Sequence, residues 1–392
     1  MTDADSRVKA AGQPGVDLLV VGGGIMGLWT ALFAARDGFS VRLVERRMIG
    51  AGASGGVLGA LMPHLPDRWN AKKAFQLAAL ISLEAEIADL EAETGFSTGY
   101  RRSGRLIPLP KPHNRDIALG HARDALSVWN TPDRAFSFEV LDAAHVTGWP
   151  AEAAMAHGLV HDHLAARLAP RSLLAALRAA LERLPNVTIA EGVGVETIEP
   201  AAGLARFDDG TSLRFGHCAL AAGVETFGLL APLNPPLTKP VGAAVKGQAA
   251  LLKAPVDPAL PVIFADGLYI VPHENGLVAI GSTSENSFTD PLATDGLLDT
   301  LIDKARRMAP VLAEAPVVER WAGLRPKAIG REPMVGRHPD HANVSLMTGG
   351  FKVSFGMAHA LARQVLNEIK GGTLDVPPSF TVAAHLEEAG RD

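Results

Sequence analysis

The chain has 392 residues, 47% of them hydrophobic, and a formal net charge of −5, enough apolar material for a sizeable core in two closely connected domains. The acidic balance, with no Lys/Arg pair extending into a run, speaks against a nucleic-acid partner. A single cysteine, Cys218, excludes internal disulfides and cysteine-based zinc sites and suits a reducing compartment.

The opening stretch MTDADSRVKAAGQPG is small and polar with no apolar h-region, so it reads as a flexible leader over residues 1–15 rather than a secretion signal. No apolar run has the length of a membrane-spanning helix. The expected location is the cytoplasm, peripheral to a membrane only if a quinone takes electrons from the protein.

VDLLVVGGGIMGLWTALFAARDGFSVRLVERR follows: an apolar strand Val16–Val21, three glycines, a helix Ile25–Arg36 and a second apolar strand ending in Glu45. Gly22, Gly24 and Gly27 occupy the G-x-G-x-x-G positions, which serve a tight turn, close approach of backbone to a pyrophosphate, and close packing of helix on sheet. The bare N–H groups that open the helix attract phosphates. Glu45, about 20 residues on, stands where an acid takes the ribose hydroxyls. A plain βαβ turn with chance glycines is the alternative, and it must produce strand, glycines, helix, strand and acid in that order by accident.

GAGASGGVLGALMPH comes next and has neither helical nor strand period. It reads either as a flexible loop or as backbone passing close to a large flat ligand, with Ser54 available to a phosphate. Asn70–Thr94 has helical period with charges on one face, too few heptads for a coiled coil, and so packs on the core. RLAPRSLLAALRAALERL is a second helix; NVTIAEGVGVETIEP and GLARFDDGTSLRFGHCALAA are strands with an Asp-Gly turn. Pro-rich LLAPLNPPLTKPVG and LKAPVDPALP mark a domain crossing and a loop.

Three side chains stand out nearer the C-terminus. Arg325 in WAGLRPK is a guanidinium among apolar neighbours, which needs an anion: a substrate carboxylate, or a protein acid in a structural salt bridge. Tyr269 in LYIVP is a strand aromatic or a recognition group. Lys352 in TGGFKVSFG is a surface lysine or a cation beside the start of a helix. No Ser/His/Asp constellation or metal cluster is visible among the 13 dispersed histidines.

The glycine fingerprint through Glu45, then GASGG, HCALAAGVET, KGQAALL around Gly247, LYIVPHENGLVAIGSTSE, RWAGLRPKAIGREPMVGRHP and TGGFKVSFGMAHALARQVLNEI, in this order over most of the chain, resemble the FAD-dependent D-amino-acid oxidase superfamily, nearest its glycine oxidase and sarcosine oxidase branch. The resemblance implies an α/β fold: a Rossmann-like FAD-binding domain of the GR2 type, discontinuous over 16–73, 145–231 and 319–392, with an interleaved α+β substrate domain of mixed or antiparallel sheet over 74–144 and 232–318. It implies non-covalent FAD held by Gly22, Gly24, Ile25, Met26, Gly27, Glu45, Arg46, Gly52, Ala53, Ser54, Gly55, Ala222, Gly223, Arg325, Gly349, Gly350, Phe351, Lys352 and Val353. In that family an arginine of the WAGLRPK motif binds the substrate carboxylate, so Arg325 takes that role, Tyr269 completes recognition, and Lys352 faces the flavin pyrimidine edge.

The activity so implied is oxidation of the C–N bond of a small carboxylate-bearing amine, glycine, sarcosine or a D-amino acid in type. Oxygen or a quinone or other electron carrier takes the electrons, and a homo-oligomer is compatible. Relatives often carry Arg where His273 stands and commonly Arg or His near Lys352. The alternatives on the same scaffold are a 2-hydroxy-acid dehydrogenase, a tRNA-modifying amine oxidase and a flavin-binding protein without turnover.

Overall fold

The structure, a computed structural model, describes residues 15–391, so all of the expected leader except Gly15 lies outside the described residues. Strand β1 (Val16–Val21), helix α1 (Ile25–Arg36) and strand β2 (Val41–Glu45) form where the apolar runs place them. The short β3 (Ala60–Leu61) precedes α2 (Ala71–Thr94), whose Asn70 side chain caps the amides of Lys72 and Lys73. Then come β4 (Arg105–Pro108), α3 (Pro112–Val128), β5 (Phe138–Leu141), β6 (Leu159–Asp162), β7 (Ala166–Arg167) and α4 (Pro170–Glu182). Strands β8 (Val187–Glu191), β9 (Val195–Glu199), β10 (Leu204–Phe207) and β11 (Ser212–Leu220) lead to α5 (Glu225–Leu230). Four strands follow, β12 (Gly242–Lys253), β13 (Val262–Ala265), β14 (Leu268–Pro272) and β15 (Leu277–Gly281), then α6 (Gly296–Met308) and β16 (Val317–Ala328). The chain closes with β17 (Met334–His338), β18 (His341–Thr348), α7 (Ser354–Ile369) and α8 (Val382–Gly390).

Two large sheets organise these elements. In the first, ordered β17-β18-β11-β1-β2-β8, the pairs among β18, β11, β1, β2 and β8 are parallel, and the β9–β10 hairpin continues from β11. Its strands are apolar on both faces because both are covered. Leu18, Val20 and Leu43 pack under α1, α4 and α7, while Leu19, Val21 and Val44 pack with Phe207, Leu230 and Val382. Helix α1 is buried from Ile25 to Ala35, so it is apolar all round rather than amphipathic.

The second sheet, β16-β12-β15-β14-β13-β4-β6-β5, is antiparallel except where β13 meets β4. One face buries Ala250, Leu252, Ile270 and Ile280 against Leu298 and Ile302 of α6; the other carries Ala249, Tyr269 and Trp321 against the segment around Val57. The fold is α/β with a Rossmann-like unit and a mixed second sheet.

Segment by segment, the packing differs from the boundaries read in the sequence. Helix α2 belongs with the first sheet, because Leu80, Leu83, Ile87 and Leu90 join the cluster under α1 and α7. Strand β6 pairs with β4 and β5, and all of β16 pairs with β12, so both belong to the second sheet. Apolar face and strand pairing decide membership, and neither is visible in local composition.

Among the described residues no helix is long and apolar enough to cross a membrane, and no group of three His, Cys, Asp or Glu is placed to hold a metal ion.

Candidate functional site

A single cavity of about 1110 Å³ runs from the carboxyl ends of β1, β2 and β11 to the open face of the second sheet. In open parallel sheets that edge is where ligands bind, since the strand-to-helix turns leave a crevice there. Gly22, at φ +112, makes the turn after β1, a backbone angle that other residues rarely adopt. A Cβ on Gly27 would run into the Gly22 carbonyl, which is why α1 lies so close to the sheet. At Gly24 an added Cβ would meet only the Ser54 hydroxyl, and Gly52 and Gly223 have nothing nearby, so the wall is bare backbone on three sides.

The polar groups here are committed in part to one another. Glu45 accepts from the Gly23 amide at 2.8 Å and from the Arg47 amide at 3.0 Å, and its carboxylate lines the cavity. The Ser54 hydroxyl accepts from the Ile25 amide at 3.0 Å, so it caps α1 directly and keeps only its own O–H for an anion. Arg46 lines the cavity 3.6 Å from Glu225. Ile25, Met26, Ala53, Ala222, Gly350, Phe351 and Val353 also line it; Gly55 and Gly349 stand behind the lining, where they let backbone segments pass closely.

The far end is built by strand register. Tyr269, Gly281, Ala249 and Trp321 are consecutive partners across β14, β15, β12 and β16. Ala249, Tyr269 and Trp321 line the cavity, while Gly281 is covered by the Leu58 side chain. Trp321, Gly323 and Arg325 follow at period two on β16, so all three face the cavity. The Arg325 guanidinium lies across Gly247 of β12, where any Cβ would collide with it.

Arg325 donates from Nη1 to Ser282 Oγ at 3.0 Å and from Nη2 to the carbonyls of Thr283 and Lys246. Its Nε is buried without a partner, and it forms no ion pair among the described residues. Desolvation depresses its pKa, opposed by Tyr269 and Glu285. The salt-bridge alternative is therefore not what the fold contains: among the described residues no carboxylate comes within ion-pair distance of this cation, which faces the cavity. Burial raises the Tyr269 pKa, so it is a neutral hydroxyl.

The turn carrying Lys352 is stitched to β16 immediately beyond Arg325: the Phe351 amide donates to the Pro326 carbonyl at 3.2 Å, and Lys327 bridges Gly350. Phe351 sits at φ +44, a strained angle for an aromatic residue. Lys352 is exposed on the cavity wall, and its pKa is lowered first by desolvation and then by Arg325.

His273 is buried outside the lining. Its Nε2 lies 3.2 Å from the carbonyls of both Val57 and Leu58, so it holds the glycine-rich segment against the second sheet, and burial pushes its pKa down to about 4. Cys218 is buried in β11 and does not line the cavity. Sequence reading missed Ser282 and Thr283, the partners of Arg325, although STSE lay inside a quoted motif. It also missed Arg105, which lines the cavity with its guanidinium 2.6 Å from buried Asp162. These groups meet only through pairing of distant strands.

A crevice at parallel strand ends, with a glycine turn, a helix start and an acid, continuous with a chamber on a second sheet, defines a dinucleotide-dependent oxidoreductase. The family model described as "DAO: FAD dependent oxidoreductase" matches residues 17–364, and the chain belongs to that family. It is 29% identical over 372 residues to the glycine oxidase of Pseudomonas aeruginosa, covering 92% of this chain and 97% of that one. The crystal structure of glycine oxidase from Geobacillus kaustophilus superposes with a TM-score of 0.82 at 21% identity, over 94% of this chain and 98% of that one. That of iminodiacetate oxidase from Chelativorans sp. BNC1 gives a TM-score of 0.81 at 20% identity, over 93% and 98%. The cofactor is FAD, and the bare glycine wall, the Glu45 carboxylate and the volume of the cavity fit it.

Proposed function

We propose that this enzyme oxidises the C–N bond of a small amino acid or N-alkyl amino acid, of the glycine, sarcosine or D-amino-acid type, with oxygen as the final acceptor. The first sheet serves the cofactor and the second the substrate. The observation that carries the reading is Arg325, a desolvated guanidinium that forms no ion pair among the described residues, facing the cavity that begins at the dinucleotide turn. Curated relatives named glycine oxidase over nearly their whole length support it.

The chemistry FAD supplies when bound is acceptance of a hydride from the carbon bearing the amine, which leaves an imine that water hydrolyses to an oxo acid and ammonia or a primary amine. The protein's part is positioning and electrostatics. Arg325, fixed by Ser282 and Thr283, binds the substrate carboxylate, and a held guanidinium loses little on forming that bond. Tyr269 and Trp321 confine the carbon skeleton and exclude water. The largely apolar lining around Ala249, Trp321 and Leu324 desolvates the substrate amine and so favours the neutral form that hydride loss requires. Gly22, Gly24, Glu45 and Ser54 hold the dinucleotide, and Gly27 lets helix α1 sit close enough to present them; Arg46, Gly350, Phe351 and Val353 complete its wall.

The test is an anaerobic titration of the yellow protein with glycine, sarcosine, D-alanine, proline and lactate. Bleaching of the flavin band by an amine, with recovery and hydrogen peroxide on readmitting oxygen, is the expected result. Bleaching by lactate alone makes it a hydroxy-acid enzyme, and a flavin that no compound reduces removes the catalytic reading.

A further inference from the structure

The cavity carries its charges in two zones. Its acidic lining residues, Glu45, Glu196 and Glu225, belong to the nucleotide end, on or beside β2, β9 and α5. At the opposite end no carboxylate lines the wall among the described residues, and the cations there are Arg325, Lys352 and Arg105. Arg105 is already neutralised by Asp162. Arg325 and Lys352 form no ion pair among the described residues. Both pack against one ring: Arg325 Cζ lies 5.3 Å and Lys352 Nζ 5.5 Å from the centre of Phe351.

A substrate with one carboxylate leaves this chamber with one cation uncompensated. In the open cavity water solvates Lys352, but cofactor and substrate displace that water, and a desolvated ammonium is costly unless an anion joins it. Arg325 is already anchored by three protein acceptors, and Lys352 approaches from a different element, so the two are built as separate binding points. We propose that the preferred substrate is a compact amine bearing two anionic groups, with Arg325 holding one and Lys352 the other. This rests on the amine-oxidation reading above and names the class of amine.

The holoenzyme is titrated with acetate and with malonate, neither oxidisable, and perturbation of the flavin spectrum reports binding. Malonate should bind at least about tenfold more tightly than acetate, Lys352→Met should erase that advantage while acetate keeps its affinity, and Lys352→Arg should restore it. In turnover, kcat/KM for iminodiacetate, a compact secondary amine with two carboxylates, should exceed that for sarcosine in the wild type and fall in Lys352→Met to that variant's own value for sarcosine. Equal weakening of acetate and malonate in Lys352→Met would mean that both cations clamp one carboxylate and would overturn the proposal. So would unchanged malonate binding with a shifted FAD affinity or flavin potential, which would give Lys352 to the cofactor. If sarcosine or glycine reduces the flavin but malonate shows no advantage, the second-anion proposal alone fails; if no amine reduces it, the amine-oxidation reading fails with it.

Discussion

The Ile25 amide donates to the Ser54 hydroxyl over 3.0 Å, joining the first turn of the dinucleotide helix to the glycine-rich segment that follows the second strand. One of the four unpaired amides of that helix is thereby satisfied by a side chain 29 residues away. Ser54→Ala frees the amide and loosens the segment. Loss of such a cap costs about 1 kcal/mol, and FAD should bind about tenfold more weakly if the same contact shapes the wall. Thermal melting and the fluorescence of released FAD measure the two effects; unchanged values for both would assign the bond no role.

Arg325→Met should lower kcat/KM for carboxylate-bearing amines by two to three orders of magnitude, since truncating a buried charge partner costs about 2–5 kcal/mol. Arg325→Lys should recover only part, because a point cation cannot reproduce the planar fork. Methylamine, which has no carboxylate, serves as control. An equal loss on methylamine would show that the residue acts on the fold or cofactor rather than on the carboxylate.

Gly247→Val tests the same group from the neighbouring strand. A side chain there collides with the Arg325 guanidinium, so KM should rise at least about tenfold by displacement of that group while FAD content stays at the wild-type ratio. Retention of wild-type KM would mean that the guanidinium is not held in the position described.

His217, His273 and His359 have pKa values pushed down from 6.5 to about 4, 4 and 3, chiefly by burial. All three are neutral in the folded protein and take a proton more readily in the unfolded chain. Stability is therefore full above the ordinary value and falls as pH drops below it, by up to about 1.4 kcal/mol per pH unit for each group. The loss levels off below the folded values. Urea unfolding across this range should show the slope, and His273→Asn should remove one proton's share of it. A stability that does not fall on acidification through that window would contradict the burial of these rings as neutral groups.

The parts of this protein legible in its residues are those set by near neighbours. The βαβ unit follows from a strand, a turn, a helix and a strand within one stretch, and the caps and breaks of α2 and α4 are equally local. Arg325 stood out because a guanidinium among apolar neighbours is a local anomaly. Its partners did not, since Ser282 and Thr283 reach it only through the pairing of β12 with β15 and β16.

By itself, then, the sequence determined the dinucleotide unit, the residue types of the cavity and the resemblance that names its cofactor, because periodicity and turn chemistry act over a few residues. Only the tertiary structure decided that Arg325 forms no ion pair among the described residues, that Lys352 shares the Phe351 ring with it, that α2 belongs to the first core, and that β6 and β16 belong to the second sheet. Each of these depends on strand register and on which apolar faces meet, contacts between residues tens to hundreds of positions apart that no local pattern encodes.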